Sequence, residues 1–167
     1  MDKLESTFLA RLNNHKGILH KVSKVYMDTK DDREDLIQEI ILQLWKSYPT
    51  FNELSQFSTW MYRVAINTAI IYLKKEKKRP DKHSILPEMD IRDDTEPNPK
   101  ESQLEHFYRA VQQLSPIEKA LIFYFMEGQS HREIGINLGI TEGNARVKLN
   151  RTKEKITQII KSQGYEF

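Results

Sequence analysis

"SHREIGINLGITEGNARVKLNRTKEKI", Ser130 to Ile156, changes character halfway along. Apolar positions at helical spacing lead to a glycine at Gly139, and a basic residue then recurs every two or three positions. Ser130 followed by Glu133 is a capping-box pair: a serine hydroxyl accepts from the third backbone N–H, and the glutamate reaches back to the cap's own N–H. The pair predicts a short helix with Ile134 and Leu138 inward. Gly139 ends that helix, and Thr141 caps a longer one running to about Lys161. The whole reads as a helix-turn-helix.

On the second helix, Ala145, Leu149, Thr152, Ile156 and Ile159 or Ile160 fall on one stripe, which must pack on a core. The opposite face holds Gly143, Val147, Asn150, Arg151 and Glu154, with Asn144, Arg146, Lys148 and Lys153 on its shoulders. A solvated basic face is the plain alternative. Against it, Val147 sits mid-face where water favours a charge, and Gly143 lets another backbone approach closely. In a DNA major groove a valine touches a thymine methyl, asparagine pairs with adenine and arginine forks to guanine, while shoulder cations reach phosphates.

Working outward, "SPIEKALIFYFMEG" repeats the start signal, with a cap at Ser115, Pro116 at the first helical position and Glu118 closing the box. A further helix covers 101–113. Upstream, "PDKHSILPEMDIRDDTEPNPKES" carries four of the six prolines and no period, and reads as an extended linker. Before it come three helical stretches. Leu4, Phe8, Leu12, Ile18 or Leu19, Val22 and Val25 form one stripe; Leu36, Ile40, Ile41, Leu44 and Trp45 form another behind a cap at Asp31 or Asp32. The third, Ser58 to about Lys77, is apolar nearly all round, with Trp60, Met61, Val64 and Ile71 on one side and Tyr62, Ile66, Ile70 and Leu73 on the other. Such a helix is central to a bundle or keeps a face for something other than water. The expected fold is all-α: two small helical domains, 1–79 and 101–167, joined by a flexible acidic linker over 80–100.

Composition narrows the function. The 167 residues include no cysteine, which excludes a disulfide framework and thiolate zinc sites, and five histidines too scattered for a metal cage. No cofactor is expected. The net charge of +2 hides a segregation, since 1–79 hold 14 basic and 10 acidic residues, 80–101 hold 3 and 7, and 102–167 hold 9 and 7. With no signal-like or membrane-length apolar run, the expectation is a soluble, cytoplasmic chain, monomeric because no dimerisation heptad appears.

Two blocks carry a resemblance. "LSPIEKALIFYFMEGQSHREIGINLGITEGNARVKLNRTKEKI" is similar to region four of bacterial RNA polymerase sigma factors, and "DREDLIQEIILQLWKSYPTF" with "FSTWMYRVAINTAIIYLKK" is similar to region two. Their order and the linker between them resemble the small extracytoplasmic-function (ECF) group. The resemblance implies a specificity subunit that binds core RNA polymerase, recognises minus-ten and minus-35 promoter elements and helps open the DNA. It implies core-polymerase contacts at Asp35, Leu36, Gln38 and Glu39, with Trp45 closing that motif. It implies minus-ten contacts at Thr50, Phe51, Asn52 and Gln56 in a base-capturing loop walled by Phe57. On the following helix they fall to Tyr62, Arg63, Asn67, Lys74 and Lys75, with Trp60 and Val64 serving the core and "KKEKKR" (Lys74 to Arg79) lying along phosphates. Minus-35 contacts fall to Gly143, Asn144, Arg146, Val147, Lys148, Asn150 and Arg151. An anti-sigma partner is a possible further binder, and the acidic linker is expected to lie in the polymerase's nucleic-acid channel.

The chain departs from the family pattern twice, with Ile71 where an aspartate is frequent and Gly135 where an alanine is usual. Two rivals remain. A stand-alone helix-turn-helix regulator binds its operator without polymerase and has no use for the Asp35–Glu39 motif. A helical enzyme needs convergent ionisable groups, and no P-loop or nucleophile triad appears.

Overall fold

The computed structural model describes residues 2–77 and 99–164, and the chain divides into two units, Met1–Glu88 and Met89–Phe167. The expected linker lies almost wholly outside the described residues, as do Lys78 and Arg79. All regular structure among the described residues is helical: α1 (Lys3–Asn14), α2 (Lys16–Tyr26), α3 (Lys30–Ser47), a 3₁₀ turn (Tyr48–Thr50) and α4 (Phe57–Lys77) in the first unit, then α5 (Pro99–Gln112), α6 (Pro116–Met126), α7 (His131–Leu138) and α8 (Glu142–Ser162) in the second. None of these helices is long and apolar enough to cross a membrane.

The first apolar stripe is two helices rather than one. His15 leaves the helical region at φ −123°, ψ 22°, and Asn13, Asn14 and Gly17 around it are all weak helix formers. Its ring nitrogen Nδ1 lies 2.8 Å from the Arg11 carbonyl oxygen, so the kink satisfies a carbonyl that the break leaves over. Leu4, at the start of the stripe, is exposed, while Phe8, Leu12, Ile18, Leu19, Val22 and Val25 are all buried. The cap of α3 is Thr29, not Asp31 or Asp32; its hydroxyl accepts from the Asp32 N–H at 3.2 Å, and the two aspartates occupy the first turn, where the helix dipole favours negative charge.

Helix α4 packs against both α2 and α3. It buries Met61, Tyr62, Ala65, Ile66, Thr68, Ala69 and Ile70, more than half of its circumference. Trp60 and Val64 are only half-buried and Ile71 is exposed, so the apolar residues expected to share a face with Met61 instead border solvent. Three residues after Val64, the same rotation brings Asn67 outward.

In the second unit both capping boxes form, at Ser115 with Glu118 and at Ser130 with Glu133. Gly139 takes the left-handed conformation at φ 70°, which turns the chain from α7 into α8. Helix α5 begins at Pro99, two residues before the expected start. The stripe Ala145, Leu149, Thr152, Ile156 and Ile160 is buried against the unit's core, which fixes the rotation of α8 about its own axis. An ion pair from Lys155 Nζ to Glu118 Oε2 at 2.9 Å ties α8 to the start of α6.

Candidate nucleic-acid interface

With its buried stripe fixed, α8 presents Gly143, Asn144, Arg146, Val147, Lys148, Asn150 and Arg151 to solvent, all of them exposed. Val147 is 46% exposed at the centre of this face, an apolar side chain that the unit's own core does not use. No atom lies within 4 Å of the position a Cβ on Gly143 would take, so the backbone there is open to close approach. Arg146 pairs with Glu142 at 3.6 Å one turn back, an exposed contact that offers little resistance to a competing phosphate. Lys153 departs from its expected position toward the strands. Its Nζ lies 3.7 Å from the centroid of the Phe125 ring, at the rim of an apolar groove of about 450 Å³ lined by Phe107, Ile122, Met126 and Ile156. An ammonium over the face of a phenyl ring is attracted by the ring's quadrupole, by about 0.5–1 kcal/mol at an exposed site.

Gly135 is a steric requirement here. A Cβ on it would lie 2.8 Å from the Ile140 carbonyl oxygen, in the turn between α7 and α8. The Ile140 N–H donates to the Gly135 carbonyl at 2.9 Å, so α7 and the turn touch backbone to backbone.

In the first unit the candidate minus-ten residues divide. Arg63, Asn67, Lys74 and Lys75 are exposed on one side of α4, which also carries Trp60, Val64 and Ile71. Tyr62 points the other way and is 9% exposed, so it serves the core instead of the surface. Aromatic rings link the loop to α4: Phe51 lies 5.1 Å from Trp60 and 5.7 Å from Phe57, and Tyr48 joins them at 6.3 Å from both Phe51 and Trp60. Thr50 donates to the Ser47 carbonyl at 2.6 Å, and the Asn52 side chain accepts from the Leu54 N–H at 3.3 Å. Both bonds fold the loop on itself, while Gln56 stays exposed. Arg11, on α1, joins this loop from outside it. It donates to Glu53 at 2.7 Å and lies 5.6 and 5.8 Å from the Phe51 and Phe57 ring centroids. Donating to Glu53 raises the arginine's pKa further above its already high ordinary value. No sequence spacing links positions 42 residues apart, which is why this contact was illegible.

On α3, Asp35 and Gln38 are exposed and Glu39 is half-buried, accepting from Gln43 Nε2 at 3.0 Å. Leu36 is fully buried; its place in the motif is that of a core residue, not a surface contact. Leu42, two turns on from Asp35, is 44% exposed, and Trp45, which packs on Phe8 at 5.1 Å between ring centroids, is still 39% exposed. Glu39, Gln43, Val64, Asn67, Ile71 and Lys75 line a groove of about 600 Å³ between α3 and α4, so residues expected to serve polymerase and DNA separately meet at one place.

A helix-turn-helix with an outward Val-Asn-Arg face in the second unit, and in the first a helical bundle bearing a loop of linked aromatics, is an arrangement suited to a DNA-binding protein. Residues 12–79 match the family Sigma-70 region 2, and residues 104–156 match Sigma-70, region 4. The chain is 30% identical over 140 residues to the ECF RNA polymerase sigma-E factor of Haemophilus influenzae, covering 77% of this chain and 74% of that one. It is 30% identical over 134 residues to the RNA polymerase sigma factor CarQ of Myxococcus xanthus, covering 76% and 74%. The sigma factor RpoE of Bartonella quintana, solved in complex with the anti-sigma factor NepR, shares the fold at a TM-score of 0.63 and 18% identity, over 96% of this chain and 98% of that one. The chain belongs to the ECF sigma factors of bacterial RNA polymerase.

Proposed function

We infer that this chain is the promoter-specificity subunit of a bacterial RNA polymerase, with its work divided between its two units. The observation that carries the division is the outward face of α8, exposed from Gly143 to Arg151 around a solvent-facing Val147 while the opposite stripe is buried. Val147, Asn150 and Arg151 read base edges of the minus-35 element; Arg146 and Lys148 hold the strands. In the first unit, Asp35, Gln38, Glu39 and Leu42 form the surface that docks on core polymerase, polar groups around one apolar anchor.

Opening a duplex costs about a few kcal/mol per base removed from the stack. The chain offsets that cost by binding the unpaired non-template strand, through the loop Thr50–Gln56 and the α4 face of Arg63, Asn67, Lys74 and Lys75. Stacking on aromatic side chains and hydrogen bonds to base edges supply the capture. Trp60, bordering solvent beside Phe51, belongs to this surface. The chain acts by binding and makes or breaks no covalent bond itself. Its partners place it in the cytoplasm, and occlusion of these faces by an anti-sigma protein is the expected control. Permanganate footprinting of a reconstituted open complex tests the reading: replacing residues 50–56 by glycines should leave upstream DNA bound and the bubble closed, and a normal bubble would assign melting elsewhere.

A further inference from the structure

Glu53 is the one non-glycine residue with a positive φ, 60°, among the described residues. Left-handed backbone is unfavourable for glutamate and persists only where surroundings determine it. Two contacts hold it here: the Asn52 side chain accepts from the Leu54 N–H across it, and Arg11, on α1, reaches it from outside the loop. Its Nη2 donates to Glu53 Oε1 at 2.7 Å, and the same guanidinium lies over the rings of Phe51 and Phe57 at the two ends of the loop. One side chain thus fastens the loop at its start, its turn and its end. The next residue, Leu54, stands 88% exposed, an apolar side chain held clear of the protein.

We propose that Arg11 is a positioning residue for promoter opening: it sets the loop Phe51–Gln56 in its strand-binding shape before DNA arrives and presents Leu54 as an apolar wall or wedge for a base leaving the stack. The proposal rests on the reading of this loop as the minus-ten strand reader. The ion pair is partly exposed, at 32% and 69% for the two side chains, so it contributes little to the stability of the bundle. What it changes is the population of one loop shape. Apolar side chains inserted at a base step favour unstacking, and a preformed wedge spends no binding energy on its own ordering.

The test uses holoenzyme assembled from core polymerase and the full chain. Its probe is the fork-junction DNA that wild-type holoenzyme selects from a pool with a randomised unpaired non-template overhang. Arg11→Ala should weaken binding of this probe about tenfold, the factor expected when the competent shape falls to about a tenth of the ensemble. Arg11→Lys, which keeps the charge but not the planar fork, should recover part of the loss. Glu53→Asn is the decisive variant. Asparagine tolerates the left-handed backbone but cannot supply the carboxylate, so the thermal midpoint should hold while probe affinity falls and amides of residues 51–56 exchange faster. Wild-type affinity in Arg11→Ala and Glu53→Asn, alongside lost affinity in the glycine-loop variant, would overturn the proposal and leave the loop's role intact. Wild-type affinity in the glycine-loop variant would remove that role, and the proposal with it.

Discussion

Gly135 and Ile140 meet backbone to backbone, with a hydrogen bond of 2.9 Å on one side and only 2.8 Å between an added Cβ and the Ile140 oxygen on the other. Two effects oppose each other at this position. Alanine would improve helix propensity by about 1 kcal/mol, while forcing a methyl into a packed site costs about 1–3 kcal/mol. The neighbour is main chain and cannot rotate away, so the second effect wins. Gly135→Ala should therefore lower stability by about 1 kcal/mol and shift α8 on its DNA, read by denaturant unfolding of the full chain and by duplex affinity. A gain in stability would mean that the turn yields freely.

The two faces of α8 should fail in different ways. Leu149→Ala removes a fully buried side chain and should cost about 2–5 kcal/mol of stability, while Val147→Ala on the exposed face should change it by less than about 0.5 kcal/mol. Duplex selection should show the reverse for specificity, with Val147→Ala relaxing preference at a thymine. Equal stability losses at the two positions would contradict the observed rotation.

Base readers and phosphate holders separate by salt. Arg151→Ala or Asn150→Ala should cost about 1–3 kcal/mol of duplex affinity at the preferred sequence and relax one or two positions. Lys148→Ala should weaken all sequences alike and reduce the salt slope by about one. Lys153→Ala should leave the slope unchanged, because that ammonium sits on Phe125. A slope reduced equally by both lysine variants would return Lys153 to the DNA face.

Within the proposed polymerase-docking surface, position decides outcome. Reversing charge at Asp35 and Glu39, or truncating Leu42, should abolish co-elution with core polymerase while helical circular dichroism and melting stay as in wild type. Leu36→Ala should instead destabilise the unit by about 2–5 kcal/mol, as expected for a fully buried leucine. A Leu36→Ala chain that melts normally but loses polymerase would restore it to the surface.

The second unit was the more legible of the two. Ser115, Ser130, Thr141 and Gly139 are local signals, since each acts on backbone within a few residues of itself, and the structure places a cap or a left-handed turn at every one. The stripe of α8 has a single period and buries as its spacing requires. The first unit mixes signals. His15 interrupts a stripe without changing its phase, and α4 is apolar on nearly every side, so periodicity alone did not tell Tyr62, which is buried, from Trp60, which borders solvent. Contacts between distant positions, such as Arg11 with Glu53 or Lys153 with Phe125, depend on how helices pack and leave no trace in spacing.

As a sigma factor, this chain is expected to confer promoter specificity on core polymerase instead of acting on DNA by itself. Run-off transcription tests it most directly, using core polymerase, the purified chain and a template bearing the promoter that the holoenzyme selects from a randomised pool. A discrete transcript should appear only when core and chain are combined, and should be lost with charge reversal at Asp35 and Glu39. Sequence-specific duplex binding by the chain alone, with no co-elution and no transcript, would contradict it and identify a stand-alone regulator.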